Sequence, residues 1–123
     1  MPDLRVRIDD LELGAEWTSD NPETRAAIEA ELPIEGHATR WGNELYVRTP
    51  VDVPEEDGQE AVPAGAIAYW PQGNAVCLFW GPTPASAGEE PRAASPVNLV
   101  AMISDPERLD GVDGGVDVRI EAV

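Results

Sequence analysis

Two arginines, Arg40 and Arg48, flank a Trp-Gly turn and have the chemistry needed to polarise an amide. Rotation about a peptide bond needs no nucleophile. It needs an apolar pocket and a hydrogen-bond donor close to the amide, which together lower a barrier of about 20 kcal/mol. The alternative is that each arginine pairs with a surface carboxylate, because the chain has 24 acidic side chains for eight basic ones.

Most of the seven aromatic residues lie within two predicted hairpins, at residues 34–49 and 66–80, and the first of these hairpins also contains both arginines. An aromatic-lined cleft that also holds an arginine is a common form of small-ligand site. The candidate ligand-binding residues are therefore Arg40, Trp41, Tyr46, Tyr69, Phe79 and Trp80. The alternative is that these rings fill the core. Successive side chains of a strand point to opposite faces of the sheet. Rings on one face are expected inside the protein, and those on the other face must be covered or form a groove.

The remaining reactive side chains indicate neither nucleophilic catalysis nor metal binding. Cys77 has only apolar neighbours in sequence, which predicts a buried structural thiol rather than a nucleophile. His37 is the only histidine, so a site with several histidine ligands cannot be built. The acidic run at residues 52–57 lacks the spacing of a calcium loop and is expected to be solvated. The sequence predicts no cofactor and no metal.

The first half of the chain reads as two hairpins separated by a helix. Residues 4–8 and 11–16 alternate between apolar and polar, which is typical of paired, half-buried strands. The helix is predicted over 20–33, with Asp20 or Asn21 as N-cap and Pro22 in the first turn. Residues 34–41 and 44–49 are then predicted to pair with each other around a Gly-Asn turn.

The most apolar segment of the chain runs from residue 65 to residue 84. Its predicted strands, 66–70 and 75–80, are apolar on both alternations, which indicates burial on both faces. The preceding residues 50–65 are acidic and rich in proline, so they are predicted to form a solvated loop. Loops of this length often close over a site, and this one is therefore a candidate lid.

The last third of the chain completes a mainly β fold. Residues 96–103 are predicted to form an apolar strand and 106–109 a single helical turn, and 116–123 alternate as a closing strand that can pair with 4–8. Seven or eight strands without helical crossovers predict a closed antiparallel eight-stranded barrel, with one α-helix capping an open end. A single domain over 1–123 is expected.

Charge is the strongest compositional signal. The formal net charge is −16, and all eight basic residues are arginine. The many negative charges repel one another, and this repulsion is screened at molar salt. The charge therefore indicates a protein adapted to a very salty cytoplasm. Phosphate contacts need clustered basic side chains, so neither nucleic acid nor an anionic membrane is an expected partner. The first residues lack the apolar core of a signal peptide, and a cytoplasmic location is expected.

Two sequence signatures carry a family resemblance. One is R-W-G-N-E-L-Y at residues 40–46, and the other is P-x-G-x-I-x-Y-W-P-x-G-x-A-x-C-x-F-x-G-x-T-P at 63–84. Together with the order of the elements, they resemble the cyclophilin-like family of small prokaryotic proteins, which are atypical members of the cyclophilin fold. The resemblance covers nearly the whole chain.

The resemblance implies a compact eight-stranded barrel like that of the peptidyl-prolyl isomerases. It does not carry over their activity, because the F-H-R type motif and the glutamine that follows it in cyclophilins have no counterpart in His37-Ala38-Thr39-Arg40. Two functions are therefore expected. The first is a module that binds a peptide or small ligand without the usual isomerase residues. The alternative is a divergent prolyl isomerase that uses Arg40 or Arg48 as the amide-polarising donor.

Overall fold

The computed structural model describes residues 2–123, which form a mainly β protein with one α-helix and one 3-10 turn. The α-helix is α1 (Pro22–Glu31), and the 3-10 turn is Pro106–Leu109. Ten strands lie within the described residues: β1 (Leu4–Ile8), β2 (Leu11–Trp17), β3 (Ile34–His37), β4 (Thr39–Arg40), β5 (Glu44–Arg48), β6 (Gln59–Ala61), β7 (Ala66–Trp70), β8 (Ala75–Phe79), β9 (Arg92–Ile103) and β10 (Asp117–Ala122). The helix, the short turn and the hairpins β1–β2 and β7–β8 confirm the sequence predictions.

The strands form one antiparallel sheet in the order β3-β10-β1-β2-β9-β7-β8-β5-β4, with β6 paired to β9. The pairing of β1 with β10 confirms the predicted contact between the first and last strands. The prediction of a closed eight-stranded barrel is wrong. Within residues 2–123 the sheet has ten strands, and its end strands β3 and β4 are not joined by hydrogen bonds.

The sheet has an open seam, the gap beside β3 that no ladder of hydrogen bonds among the described residues closes, and this seam has a local cause at Ala38. The sequence predicted one strand over 34–41 that pairs with 44–49, but the chain breaks this segment into β3, which pairs with β10, and β4, which pairs with β5. Ala38 donates its N–H to Val116 O at 2.8 Å, and its carbonyl accepts the N–H of Gly115 at 2.8 Å. The segment therefore passes from one end of the curled sheet to the other, and β3 lies against β5 without a ladder.

The hairpin β7–β8 separates two apolar cores, as its two-sided apolarity predicts. The interior core includes Ile67, Tyr69 and Leu78 and receives Ile28 from α1. The outer core lies on the opposite face and includes Phe79, Cys77, Val97 and other small or apolar side chains. Because residues 92–97 run over this outer face, β9 begins earlier than the predicted strand at 96–103.

A buried polar network ties the segment 50–58 to the rest of the fold. The Glu56 carboxylate accepts the N–H and the hydroxyl of Thr24 at 3.0 and 2.9 Å, which caps the first turn of α1. Although desolvation acts against it, these bonds and the Glu23 N–H lower the pKa of Glu56. Asn98, fully buried, accepts the Glu56 N–H at 3.0 Å and donates to Thr24 Oγ1 at 2.9 Å and Pro54 O at 3.1 Å.

This network changes the interpretation of residues 50–65. The sequence predicted a solvated acidic loop, but Glu56 is bound to the helix and Asp57 donates its N–H to Asn21 Oδ1 at 2.7 Å. Asn21 is the helix N-cap by position, yet its side chain makes no cap hydrogen bond and instead contacts this loop and Leu99 O. Residues 59–61 form β6 on the edge of β9. The segment is anchored at both of these places.

Replacing Asn98 with alanine is expected to destabilise the protein by about 3 kcal/mol, because one buried and two partly buried polar partners lose their hydrogen bonds. Urea unfolding at fixed salt measures the change. Gln72→Ala, at an exposed position of the β7–β8 turn, is the matched control and is expected to have little effect. Equal stability of the Asn98→Ala variant and the control would contradict the role of the network.

Candidate functional site

A pocket of about 220 Å³ opens on the outer face of the sheet, over β5, β8 and the first half of β9. Three aromatic rings, one carboxyl group, one thiol and small apolar side chains form its lining. The lining residues are Trp41, Glu44, Tyr46, Trp70, Cys77, Ala93, Ala94 and Val97. The outer core is therefore covered only in part, and the uncovered part is concave and mostly apolar, which is typical of a small-ligand site.

The side chain of Trp70 is fixed from three sides. Its indole N–H donates to Ser95 Oγ at 2.6 Å. The Tyr46 ring meets it edge-on, with centroids 6.1 Å apart and planes at 73°. A Cβ at Gly73 would lie only 2.2 Å from the Trp70 ring, so the ring packs directly on the glycine backbone of the β7–β8 turn. These contacts hold one wall of the pocket rigid.

Trp41 belongs to a turn that packs against the Gly-Pro-Thr-Pro corner after β8. Gly42, with a φ of +63°, comes so close to this corner that an added Cβ would lie 2.7 Å from Thr83 Cα. The backbone N–H of Asn43 donates to Pro82 O at 2.9 Å, and its backbone carbonyl accepts the backbone N–H of Trp80 at 3.0 Å. The two segments that carry the family resemblance thus contact each other and set the rim of the pocket.

Two polar groups of the pocket belong to buried residues, the carboxyl of Glu44 and the thiol of Cys77. Glu44 is only 5% exposed, and burial raises its pKa to about 7, although the hydrogen bond from the Cys77 thiol acts in the opposite direction. Burial, together with the neighbouring carboxylate that accepts its hydrogen bond, raises the pKa of Cys77 well above its usual value. The thiol is therefore a poor nucleophile, and the carboxyl is an acid–base group poised near neutral pH.

Neither candidate arginine lines this pocket. Arg40 donates from Nε to Gly42 O at 2.8 Å and from its terminal nitrogens to Val112 O at 2.7 Å and Asn43 Oδ1 at 3.0 Å. Arg48 donates to Gly73 O at 2.7 Å, in the β7–β8 turn. The acceptors in these bonds are backbone and amide oxygens rather than carboxylates, so both arginines brace turns.

The structure divides the six candidate ligand-binding residues into two groups. Trp41 and Tyr46 line the pocket. The others lie elsewhere: Tyr69 is buried in the interior core with its hydroxyl donating to Val51 O at 2.6 Å, and Phe79 is fully buried in the outer core. Trp80 belongs to the interior core and lies beneath the Arg40 guanidinium, 5.5 Å from the ring centroid.

Sequence reasoning missed Glu44 and did not include Trp70 and Cys77 among the ligand-binding candidates. Glu44 starts β5 on the parity opposite to Leu45 and Val47, which are buried in the interior core. Glu44 therefore lies on the outer side of the sheet. Because the neighbouring strand β8 is apolar on both faces, the sequence predicts that this outer side is covered. The available signal was therefore an acidic residue facing an apolar strand, since Glu44 lies opposite Phe79 in the register.

The comparisons with known proteins agree with this fold. The family model described as cyclophilin-like matches residues 2–121, and the chain therefore belongs to the cyclophilin-like family, as the two signatures predicted. The solution structure of the hypothetical protein AF2241 from Archaeoglobus fulgidus is similar to it, with 39% identity and a TM-score of 0.82 over 99% of this chain and 95% of that chain. No curated protein matches the chain.

The helices give no indication of a membrane span. Within residues 2–123, no helix combines the length and the apolar character that crossing a bilayer requires.

Glu44→Gln is expected to stabilise the protein by about 3 kcal/mol above pH 7 and to have little effect near pH 4. The pKa of Glu44 rises from 4.5 in the unfolded chain to about 7 in the folded one. The folded state therefore holds a proton that the unfolded state releases, and wild-type stability falls as the pH rises from 4.5 through 7. Glutamine removes this loss because it does not ionise.

Urea unfolding at pH 4, 6 and 8 in constant salt measures this difference. Glu16→Gln is the matched control, since Glu16 is exposed on β2 and its loss changes the net charge equally. A stability difference for Glu44→Gln that is the same at all three pH values would show that Glu44 is not buried in its protonated form.

Proposed function

We propose that this cyclophilin-like protein is a ligand-binding module that takes a small, largely apolar ligand, or an apolar group of a peptide, into the aromatic pocket on its outer face. The observation that carries the proposal is the pocket itself: about 220 Å³ enclosed by three aromatic side chains with a buried carboxyl group among them. A folded protein gains nothing in stability from such a recess, because an uncovered apolar surface costs free energy in water.

The size of the pocket limits the ligand. An apolar cavity of about 150 Å³ accepts benzene, which has six non-hydrogen atoms. By that scale, a pocket of about 220 Å³ accepts about nine such atoms. The pocket thus suits one substituted aromatic ring or one large apolar side chain, and a longer ligand would extend past its rim.

The alternative function, prolyl isomerisation through Arg40 or Arg48, is not the one that the geometry favours. An isomerase needs its donor beside the bound amide. Both guanidiniums are engaged with backbone oxygens outside the pocket lining, and within residues 2–123 the lining contains no arginine. We also propose that the protein works in a salty cytoplasm, because its charge of −16 without lysine needs screening.

The four tryptophans provide a direct test of ligand binding. Trp41 and Trp70 line the pocket, whereas Trp17 and Trp80 do not. In molar KCl, titration with 2-phenylethanol, a neutral probe with nine non-hydrogen atoms, is expected to shift the indole N–H resonances of Trp41 and Trp70 and to leave those of Trp17 and Trp80 unchanged. Equal shifts at all four indoles, or none, would overturn the proposal.

A variant that fills the pocket supplies the matched control. Ala94 is exposed on the rim, so Ala94→Phe places a ring at the pocket mouth without disturbing the core and is expected to weaken binding at least tenfold. Ala64→Phe, also exposed but outside the lining, is expected to bind as the wild type does. Acceleration of prolyl-peptide isomerisation that is lost in Arg40→Ala or Arg48→Ala would instead support the alternative function.

A further inference from the structure

Among residues 2–123, no strong hydrogen-bond donor is paired with the largely buried carboxyl of Glu44. Glu44 is 5% exposed and lines the pocket, and the partner of its carboxyl among residues 2–123 is the thiol of Cys77, a weak donor. A carboxyl removed from water is stable when a cation or a full set of donors satisfies it. The pocket thus contains a largely buried carboxyl that a bound cation can satisfy.

The surroundings of this carboxyl favour a cation over a neutral donor. The side chains of Trp41, Tyr46 and Trp70 line the same pocket, and aromatic rings attract ammonium groups through their negative faces. The titratable residues in the lining are Glu44, Cys77 and Tyr46, and the residues that β9 contributes are neutral, so no positive side chain of the lining competes for the carboxyl. A formal net charge of −16 further disfavours an anionic ligand.

We propose that the ligand of this pocket is a small arylalkyl amine, bound as its ammonium ion with the charge on Glu44 and the ring among Trp41, Tyr46 and Trp70. This inference rests on the proposed function, since it names the class of ligand that the same pocket takes. Carboxylate and aromatic rings together satisfy both halves of such a molecule. The size limit of about nine non-hydrogen atoms corresponds to one phenyl ring with a two-carbon amine chain.

The proposal carries a pH dependence. Binding an ammonium ion requires the ionised carboxylate, and the pKa of Glu44 is raised to about 7 in the free protein. Affinity for the amine therefore increases as the pH rises from 5 to 8, where the amine is still protonated. A neutral probe of the same shape has a smaller pH dependence, because it has no positive charge to pair with the carboxylate.

Three probes of matched size separate the ligand class from the existence of the site. The three probes share one phenyl ring with a short side chain, which is positive in phenethylamine, uncharged in 2-phenylethanol and negative in phenylacetate. The Trp41 and Trp70 indole resonances report their binding in molar KCl at pH 8. The expected order is phenethylamine at least tenfold tighter than 2-phenylethanol, with phenylacetate weakest. The preference for the amine is expected to shrink at least tenfold at pH 5.

Glu44→Gln removes the charge and keeps the shape of the side chain. The variant is expected to lose the preference for phenethylamine over 2-phenylethanol, whereas Glu16→Gln is expected to retain it. Retention of the wild-type preference by folded Glu44→Gln would overturn the proposal.

Three further outcomes contradict the inference in different ways. Binding of 2-phenylethanol as tight as that of phenethylamine would refute the amine ligand and leave the proposed ligand-binding function intact, whereas absence of binding by all three probes would refute both. Nα-acetyl-lysine amide keeps its ε-ammonium and mimics a lysine within a peptide. If it bound more tightly than phenethylamine, the ammonium would belong to a peptide, and the assignment to a small amine would be overturned.

Discussion

The hairpin β7–β8 buries both of its faces, and the rest of the structure is arranged to cover them. One face carries Ile67, Tyr69 and Leu78 into the interior core, where the curled sheet and α1 enclose them. The other face has small residues such as Ala68 and Cys77, over which residues 92–97 are folded. Because the second cover extends only part of the way across β5 and β8, the constraint that organises the fold also produces the pocket.

The interior cover depends on polar contacts as much as on apolar ones. Helix α1 makes no cap hydrogen bond with its own N-cap side chain, and Glu56 from the 50–58 segment supplies that cap instead. Asn98 on β9 holds this segment through Glu56 and Pro54. The 50–58 segment, which the sequence predicts to be solvated, therefore connects α1 to β9 through the buried side-chain amide of Asn98.

The periodicity of the sequence was sufficient to predict the hairpins β1–β2 and β7–β8, the helix and the two-sided burial of the central strands. It was insufficient for β3 and β4, because alternation shows which side chains face inward but not which strand lies alongside. Glu44 escaped detection for a related reason. An acidic residue that alternates with buried Leu45 normally faces water, and its burial depends on residues 92–97, which are far from it in sequence.

The seam between β3 and β5 has a consequence for how the molecule behaves among its neighbours. Free strand edges invite pairing with other chains and are a common origin of aggregation. Here the end strands β3 and β4 are consecutive in the chain, and β3 lies against β5, the neighbour of β4, so that an added Cβ at Gly36 would lie 3.0 Å from the Val47 side chain. The free edge of β3 is therefore covered by β5, which protects that edge from pairing with another chain although no ladder of hydrogen bonds among the described residues closes the sheet.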